Sequence, residues 1–204
     1  AAGDGAAARE NQNRAIEFAM LLTMPAAAAL MVIAGPVIHV LFERGAFGPE
    51  AAGATADVLA IFASGLPAYV LVKVLVPAYF ARGDTATPIK IGAVAMAVNV
   101  VLSLILMWPL RHVGIAIAMA VSAWVNALLL GVVLGRRGHL EIDPRLKARL
   151  CRILAATLLM AAALAVGQSG LSEALGAGIG SRVLALAALV LGGLAVYSVL
   201  ARLF

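Results

Sequence analysis

Charged and aromatic residues are scarce in this chain. Of its 204 residues, 12% are charged and 5% are aromatic, whereas a soluble domain carries roughly 25% charged residues. Cysteine occurs once, as Cys151, so no internal disulfide can form, and no cluster with metal-ligand spacing accompanies it. The sequence also lacks a hydrolase triad, a phosphate-binding glycine loop and a zinc motif. These absences argue against an enzyme, a metal site and a bound cofactor.

Hydrophobic residues make up 64% of the chain, and the mean hydropathy is +1.05. They form runs near or above the ~20 residues that a transmembrane helix needs, without the two-residue alternation of a transmembrane β-barrel. We therefore predict an all-α, polytopic transmembrane helical bundle. Segments rich in Gly, Pro and charge separate six expected spans. The spans are 15–42, 51–81, 88–108, 113–134, 150–167 and 183–200.

The distribution of cations orients these spans. Eleven Lys and Arg residues fall on one set of span ends, and the other set holds only Arg44, Arg111 and Arg182. By the positive-inside rule, the cation-rich ends are cytoplasmic, and six spans then put both chain ends there. The formal charge of +5 comes mainly from these loops, so no nucleic-acid partner is implied. Residues 1–14 are small and polar, with no apolar leader, and we expect a cytoplasmic linker in a piece of a longer protein.

Polar residues within the spans are concentrated in spans two to four. Asn99 and Ser103 share one helix face, and so do Ser122 and Asn126, because each pair is four residues apart. Asn99 and Ser122 fall at similar depths, so we predict that they face each other across an antiparallel hairpin. Such pairs serve as packing contacts or as ligand contacts, and the sequence leaves both open. Small residues predict close helix packing at Gly131 with Gly135 and at Ala188 with Gly192.

Lys73 is a charge inside a long apolar segment. It lies nine residues before Arg82, which is roughly 13 Å along a helix. A lysine in hydrocarbon costs about 2.5 to 3.5 kcal/mol on insertion scales. Two interpretations follow: the ammonium extends to the membrane surface along its own stem, or it faces a wet cavity and binds an anionic headgroup. Pro67 and Pro77 flank it and predict a bent helix.

Four motifs resemble one known family. They are LFERGAF (41–47), GLPAYVLVKVLVPAYFARGDTATPIKI (65–91), NVVLSLIL (99–106) and HVGIAIAMAVSAWVNALLL (112–130). Together they resemble the C-terminal part of the MurJ (MviN) family of bacterial lipid II flippases, within the multidrug/oligosaccharidyl-lipid/polysaccharide exporter superfamily. The match is strong over 15–134 and rests on hydropathy and position beyond 150.

The resemblance implies an architecture. The family has fourteen spans in two lobes plus a final pair, and the six spans here resemble its ninth to fourteenth. Residues 15–134 would be four helices of the second lobe, 135–149 a basic cytoplasmic loop, and 150–204 two lipid-facing groove helices. The first lobe would be missing from this chain.

The resemblance also implies a function: moving lipid II from the cytoplasmic to the periplasmic leaflet of the bacterial inner membrane by alternating access, for peptidoglycan synthesis. Lys73, Asn99 and Asn126 would then contact substrate in the cavity, and Arg82 would lie at the cytoplasmic entrance. The implied partners are lipid II, membrane lipids and the first lobe, without which we expect no flipping. The alternatives are a polysaccharide-lipid flippase or drug/cation antiporter of the same superfamily, or a non-transporting membrane scaffold.

Overall fold

The computed structural model describes residues 2–141, 143–171 and 178–203, and within these ranges all regular structure is helical. The helices are α1 (Ala2–Phe42), α2 (Pro49–Phe80), α3 (Ala86–Arg136), α4 (Pro144–Gly170) and α5 (Ile179–Leu203). All five contain a stretch long and apolar enough to cross a membrane. The all-α membrane architecture predicted from composition is confirmed.

Helix α3 reverses direction at Arg111, whose φ of 50° and ψ of −127° are not helical. Along a straight helix, Asn99 and Ser122 would lie about 35 Å apart. Instead, Asn99 Nδ2 lies 3.3 Å from Ser122 Oγ. The segment is therefore an antiparallel hairpin with a first arm (86–110) and a second arm (112–136). This confirms the predicted hairpin and its Asn99–Ser122 contact.

Two boundaries differ from the sequence expectation. Helix α1 begins at Ala2, so residues 2–14, expected as a linker, continue the first span as helix. Helix α4 begins at Pro144, inside the expected basic loop 135–149. Asp143 starts it, because its carboxylate Oδ1 accepts the Leu146 backbone N–H at 2.6 Å and so satisfies one of the unpaired first-turn donors.

The chain divides into two compact units, of which the first comprises Ala1–Thr23 and Gly65–Cys151. Its core is formed by small residues where α2 packs parallel to the second arm of α3. Ala68, Ala123 and Ala127 form one buried cluster, and a Cβ on Gly65 would come within 3.2 Å of the Ala120 backbone. Small side chains let the two backbones approach closely, which is how membrane helices gain packing energy.

The second unit comprises Met24–Ser64 and Arg152–Phe204. Ile33 of α1, Met160 and Leu164 of α4, and Leu189 of α5 form its main buried cluster. A Cβ on Gly193 would lie 2.9 Å from Leu164, so α4 and α5 are closely packed there.

The small-residue face of α5 was predicted wrongly. A Cβ on Gly192 would meet nothing within 4 Å, and Ala188 is exposed. The packed glycine is Gly193, one residue further along the helix. Because successive helical residues are rotated by about 100°, a shift of one residue changes the face completely.

Candidate functional site

The candidate site is an exposed stripe on α2 that contains Lys73. Tyr69, Lys73, Pro77 and Phe80 are all exposed, and their spacing of three or four residues places them on one helix face. The other side of α2 is buried: Ala68, Leu75 and Tyr79 are at most 3% exposed. The helix thus packs through one face and presents a lysine within an aromatic stripe on the other.

Lys73 forms no ion pair within the described part of the chain. Its main-chain carbonyl also loses its usual helical donor, because Pro77, four residues on, has no N–H. One turn of α2 therefore presents a cationic side chain and a carbonyl without the normal i+4 hydrogen bond. Such a pairing of charge and free backbone in an apolar helix is typical of a site that faces water, a ligand or another protein segment.

Arg82 lies in the turn just beyond α2, which ends at Phe80. Arg82 Nη1 donates to the Ala78 carbonyl at 2.5 Å, which satisfies an end carbonyl of α2. Arg82 thus forms part of the helix end, with a role at a substrate entrance still a prediction.

The turn after Arg82 is a closed hydrogen-bonded motif. Gly83 has φ +73° and donates to the Phe80 carbonyl at 3.0 Å, and the Asp84 N–H donates to the Tyr79 carbonyl at 3.1 Å. These two bonds define a Schellman helix end, in which glycine adopts the left-handed conformation. The arrangement ends α2 sharply and aims the next side chain, Asp84, at the start of α3.

Asp84 links the two ends of the α3 hairpin. Its Oδ1 accepts the Thr87 backbone N–H at 2.9 Å, as a helix cap does, and its Oδ2 accepts from Arg137, just past the end of α3. Arg137 Nη2 also donates to Thr87 Oγ1 at 3.1 Å. Hydrogen bonds from the Thr87 hydroxyl, Arg137 and the Thr87 N–H, in that order, hold the pKa of Asp84 well below its usual range.

Asn99 and Asn126 lie on the two arms of α3. The amide of Asn99 is engaged by Ser122, which fits the packing interpretation. Asn126, one turn further along the second arm, is partly buried, and its Oδ1 has no hydrogen-bond partner among the described residues. The unpaired acceptor of Asn126 leaves a ligand contact as a prediction for that residue.

The N-terminal part of α1 contributes polar contacts that sequence reasoning missed. Gln12 Nε2 donates to the Val74 carbonyl at 2.9 Å, next to Lys73, and Asn13 Nδ2 donates to the Glu141 carbonyl at 2.8 Å. Glu17 is 9% exposed and pairs with Arg149 at 3.2 Å. The sequence does contain a signal for this helix, because Ala, Arg, Glu and Gln, which favour helices, dominate the segment.

The sequence contains no comparable signal for the Asp84–Arg137 pair, since 53 residues separate its members.

Apolar helices of membrane length and an internal hairpin define a polytopic α-helical membrane protein. The family model described as "Lipid II flippase MurJ" matches residues 1–203. The chain belongs to the MurJ family.

Individual relatives agree with this assignment. The chain is 45% identical to a probable lipid II flippase MurJ of Rhizobium meliloti over 91% of its own length and 35% of that protein. It is 41% identical to one from Rhizobium tropici, over 94% and 36%. The chain thus spans about a third of the length of the curated relatives it matches.

A solved structure shares the fold. The structure titled "Lipid II flippase MurJ, inward closed conformation" superposes with a TM-score of 0.80 at 20% identity, covering 97% of this chain and 39% of that one. Family membership and the membrane-length helices place the chain in the bacterial inner membrane, as the sequence predicts.

Proposed function

We propose that this chain is part of a lipid II flippase and that Lys73 binds the anionic pyrophosphate of the substrate headgroup. The observation that carries the proposal is the exposed Lys73 on α2, without a carboxylate partner in the described residues, in a chain of the MurJ family. An ammonium in a low-dielectric setting attracts a pyrophosphate far more strongly than it does in water. The role is transport from the cytoplasmic to the periplasmic leaflet by alternating access, with no chemical step.

The other predicted contacts belong to the same proposal. Asn126 offers an unpaired amide oxygen, which suits a sugar hydroxyl or a peptide N–H of the headgroup. Asn99 and Arg82 form hydrogen bonds with Ser122 and with the Ala78 carbonyl, which hold the hairpin and the helix end; a substrate contact by Asn99 and an entrance role for Arg82 stay part of the proposal. No observation favours a polysaccharide-lipid flippase, an antiporter or a scaffold over lipid II transport.

The test is transport of fluorescent lipid II by the full-length protein in vesicles. Lys73→Ala removes a hydrogen bond to a charged group, worth about 1.5–3 kcal/mol, so we expect transport to fall by about ten-fold or more. Lys73→Arg keeps the charge and should retain part of the activity. Lys90→Ala is the matched control, because Lys90 is an exposed lysine near the start of α3, and it should transport normally.

Folding must be measured beside transport. If Lys73→Ala unfolds at a lower temperature and transport falls only with the loss of folded protein, Lys73 is structural and the scaffold alternative gains support. If the variant folds and transports normally, Lys73 does not handle the headgroup.

We further propose that the rest of a full-length protein supplies the first lobe, which alternating access requires. The chain covers only 35% of its relative from Rhizobium meliloti, and rocking needs two bodies. The 204-residue chain alone should therefore fail to flip lipid II in vesicles in which the full-length protein succeeds. Translocation by the chain alone would refute this.

A further inference from the structure

The tip of the α3 hairpin holds an arginine in a backbone conformation that suits glycine. Of the non-glycine residues that the structure describes, Arg111 is the one with positive φ. Its φ of 50° and ψ of −127° match the first central position of a type II′ turn, where glycine is the usual residue. Non-glycine residues in such conformations are strained, and the strain persists only where surrounding structure imposes it.

The surrounding structure does impose it. Gly114 lies so close to the first arm that a Cβ there would come within 2.3 Å of the Leu106 carbonyl oxygen. The two arms therefore approach as closely as backbone atoms allow, and the turn between them cannot widen. Glycine stands at the crowded position 114 and arginine at the strained position 111. Glycine at position 111 would form the same turn without strain. The presence of arginine there indicates that its side chain has a function that glycine cannot supply.

The tip combines an aromatic ring with an arginine. Trp108 is 84% exposed, and Arg111 and His112 are exposed beside it in the chain. The arm leading to the tip is apolar and open, with Leu104 and Ile105 both about 60% exposed. Each arm has about 25 residues, or roughly 37 Å of helix, which exceeds the ~30 Å hydrocarbon core. The tip therefore lies at a membrane–water interface.

We propose that the hairpin tip is a phospholipid anchor, in which the Arg111 guanidinium binds a phospholipid phosphate and the Trp108 ring lies at headgroup level. A guanidinium matches a phosphate with two parallel hydrogen bonds, and tryptophan concentrates at the interface because its ring is apolar with one polar N–H. The occupant is lipid because the exposed apolar surface of the arm continues into the tip, where the Arg111 guanidinium is complementary in charge to the phosphate layer. The anchor is independent of whether Lys73 binds lipid II.

Fluorescence tests the position of Trp108. The chain has two tryptophans; in the full-length protein, Trp124→Phe together with Phe at every tryptophan outside this chain leaves Trp108 as the sole emitter. In nanodiscs we expect lipids brominated near the headgroup end of the acyl chain to quench Trp108 more strongly than lipids brominated near the chain terminus. Quenching mainly by iodide in the water, or by the terminal bromines, would overturn the anchor. If Trp124→Phe fails to fold, the difference between the parent chain and Trp108→Phe supplies the same signal.

Stability tests the phosphate contact. The melting temperature is compared in nanodiscs of phosphatidylglycerol and of a phosphate-free glycolipid. The parent and Arg111→Lys should melt higher in phosphatidylglycerol, and Arg111→Gln should lose at least half of that difference. Arg111→Gly should lose it as well, yet melt above the parent in glycolipid because the strain is relieved. An unchanged lipid difference in Arg111→Gln would show that Arg111 binds no phosphate.

Discussion

At the scale of single residues, Asp84 joins two functions in one carboxylate. It caps α3 through Thr87 and pairs with Arg137 at the far end of the same hairpin. Local sequence allows the first role to be anticipated, because Asp is among the residues preferred at helix N-termini. The second role depends on tertiary structure alone. The Arg-Gly-Asp turn thus closes the base of the hairpin. Lys73 lies in the preceding helix and, unlike Asp84, forms no ion pair among the described residues.

Substitution of Asp84 should lower stability in two steps. Asp84→Asn keeps an oxygen that can cap α3 but loses the charge that Arg137 faces, so its melting temperature should fall less than that of Asp84→Ala. Because folding lowers the pKa of Asp84, its stabilisation is complete above the ordinary carboxyl pKa of about 3.9 and is lost as pH falls below it. In thermal unfolding in detergent, the difference in melting temperature between the parent and Asp84→Asn should therefore become smaller from pH 7 to pH 3. If this difference does not change with pH, the charge of Asp84 does not contribute to stability.

Thr157 provides a second prediction at this scale. It is 4% exposed in the second unit, and its hydroxyl has no hydrogen-bond partner among the described residues. An unpaired buried hydroxyl costs about 1–3 kcal/mol, so the nearly isosteric Thr157→Val should match or exceed the parent in thermal stability. Thr157→Ala leaves a cavity and should be less stable than Thr157→Val. Loss of stability in the valine variant would show that the hydroxyl is bonded in the membrane.

At the scale of helices, the hairpin of α3 could be predicted from the sequence, whereas the packed face of α5 could not. The hairpin could be predicted because Asn99 and Ser122 lie at matching depths on either side of a short turn. The packed face of α5 was missed because its sequence holds Gly192 and Gly193 side by side, and hydropathy does not choose between them. Residues 2–14 are helical and not a linker, because their helix propensity outweighs their polar character.

Those two adjacent glycines form a matched pair of test sites. Gly193→Leu places a side chain against Leu164, which a Cβ alone would approach to 2.9 Å, and overpacking of this kind costs about 1–3 kcal/mol. Gly192→Leu adds the same atoms where nothing lies within 4 Å and should be nearly neutral. Unfolding by sodium dodecyl sulfate, followed by circular dichroism, gives both values. Equal losses in the two variants would contradict the packing of α4 against α5.

At the scale of the whole molecule, the segments predicted to be cytoplasmic contact one another. Arg9 and Asn13 of α1 bond Glu141, Glu17 bonds Arg149, and the turn at Asp84 bonds Arg137. Within the first unit, these contacts join the first helix, the α2–α3 turn and residues 137–149, which connect α3 to the first turns of α4. The positive-inside rule requires that these three segments lie on one side of the membrane, and their mutual hydrogen bonds are consistent with this.

Cys151, the one cysteine of these 204 residues, makes that topology testable in a full-length protein whose other cysteines are replaced by serine. Cys151 is exposed and lies beside the predicted cytoplasmic loop, so a membrane-impermeant maleimide should label it in inverted inner-membrane vesicles and leave it unlabelled in intact spheroplasts. His112→Cys in a Cys151→Ser background moves the thiol to the hairpin tip and should reverse the pattern, because one arm of α3 crosses the bilayer between the two positions. Cys151→Ser alone is the blank, and detergent should expose both thiols. Labelling of Cys151 from outside the spheroplast would invert the predicted orientation, whereas labelling of both sites from one side would mean that the second arm does not cross.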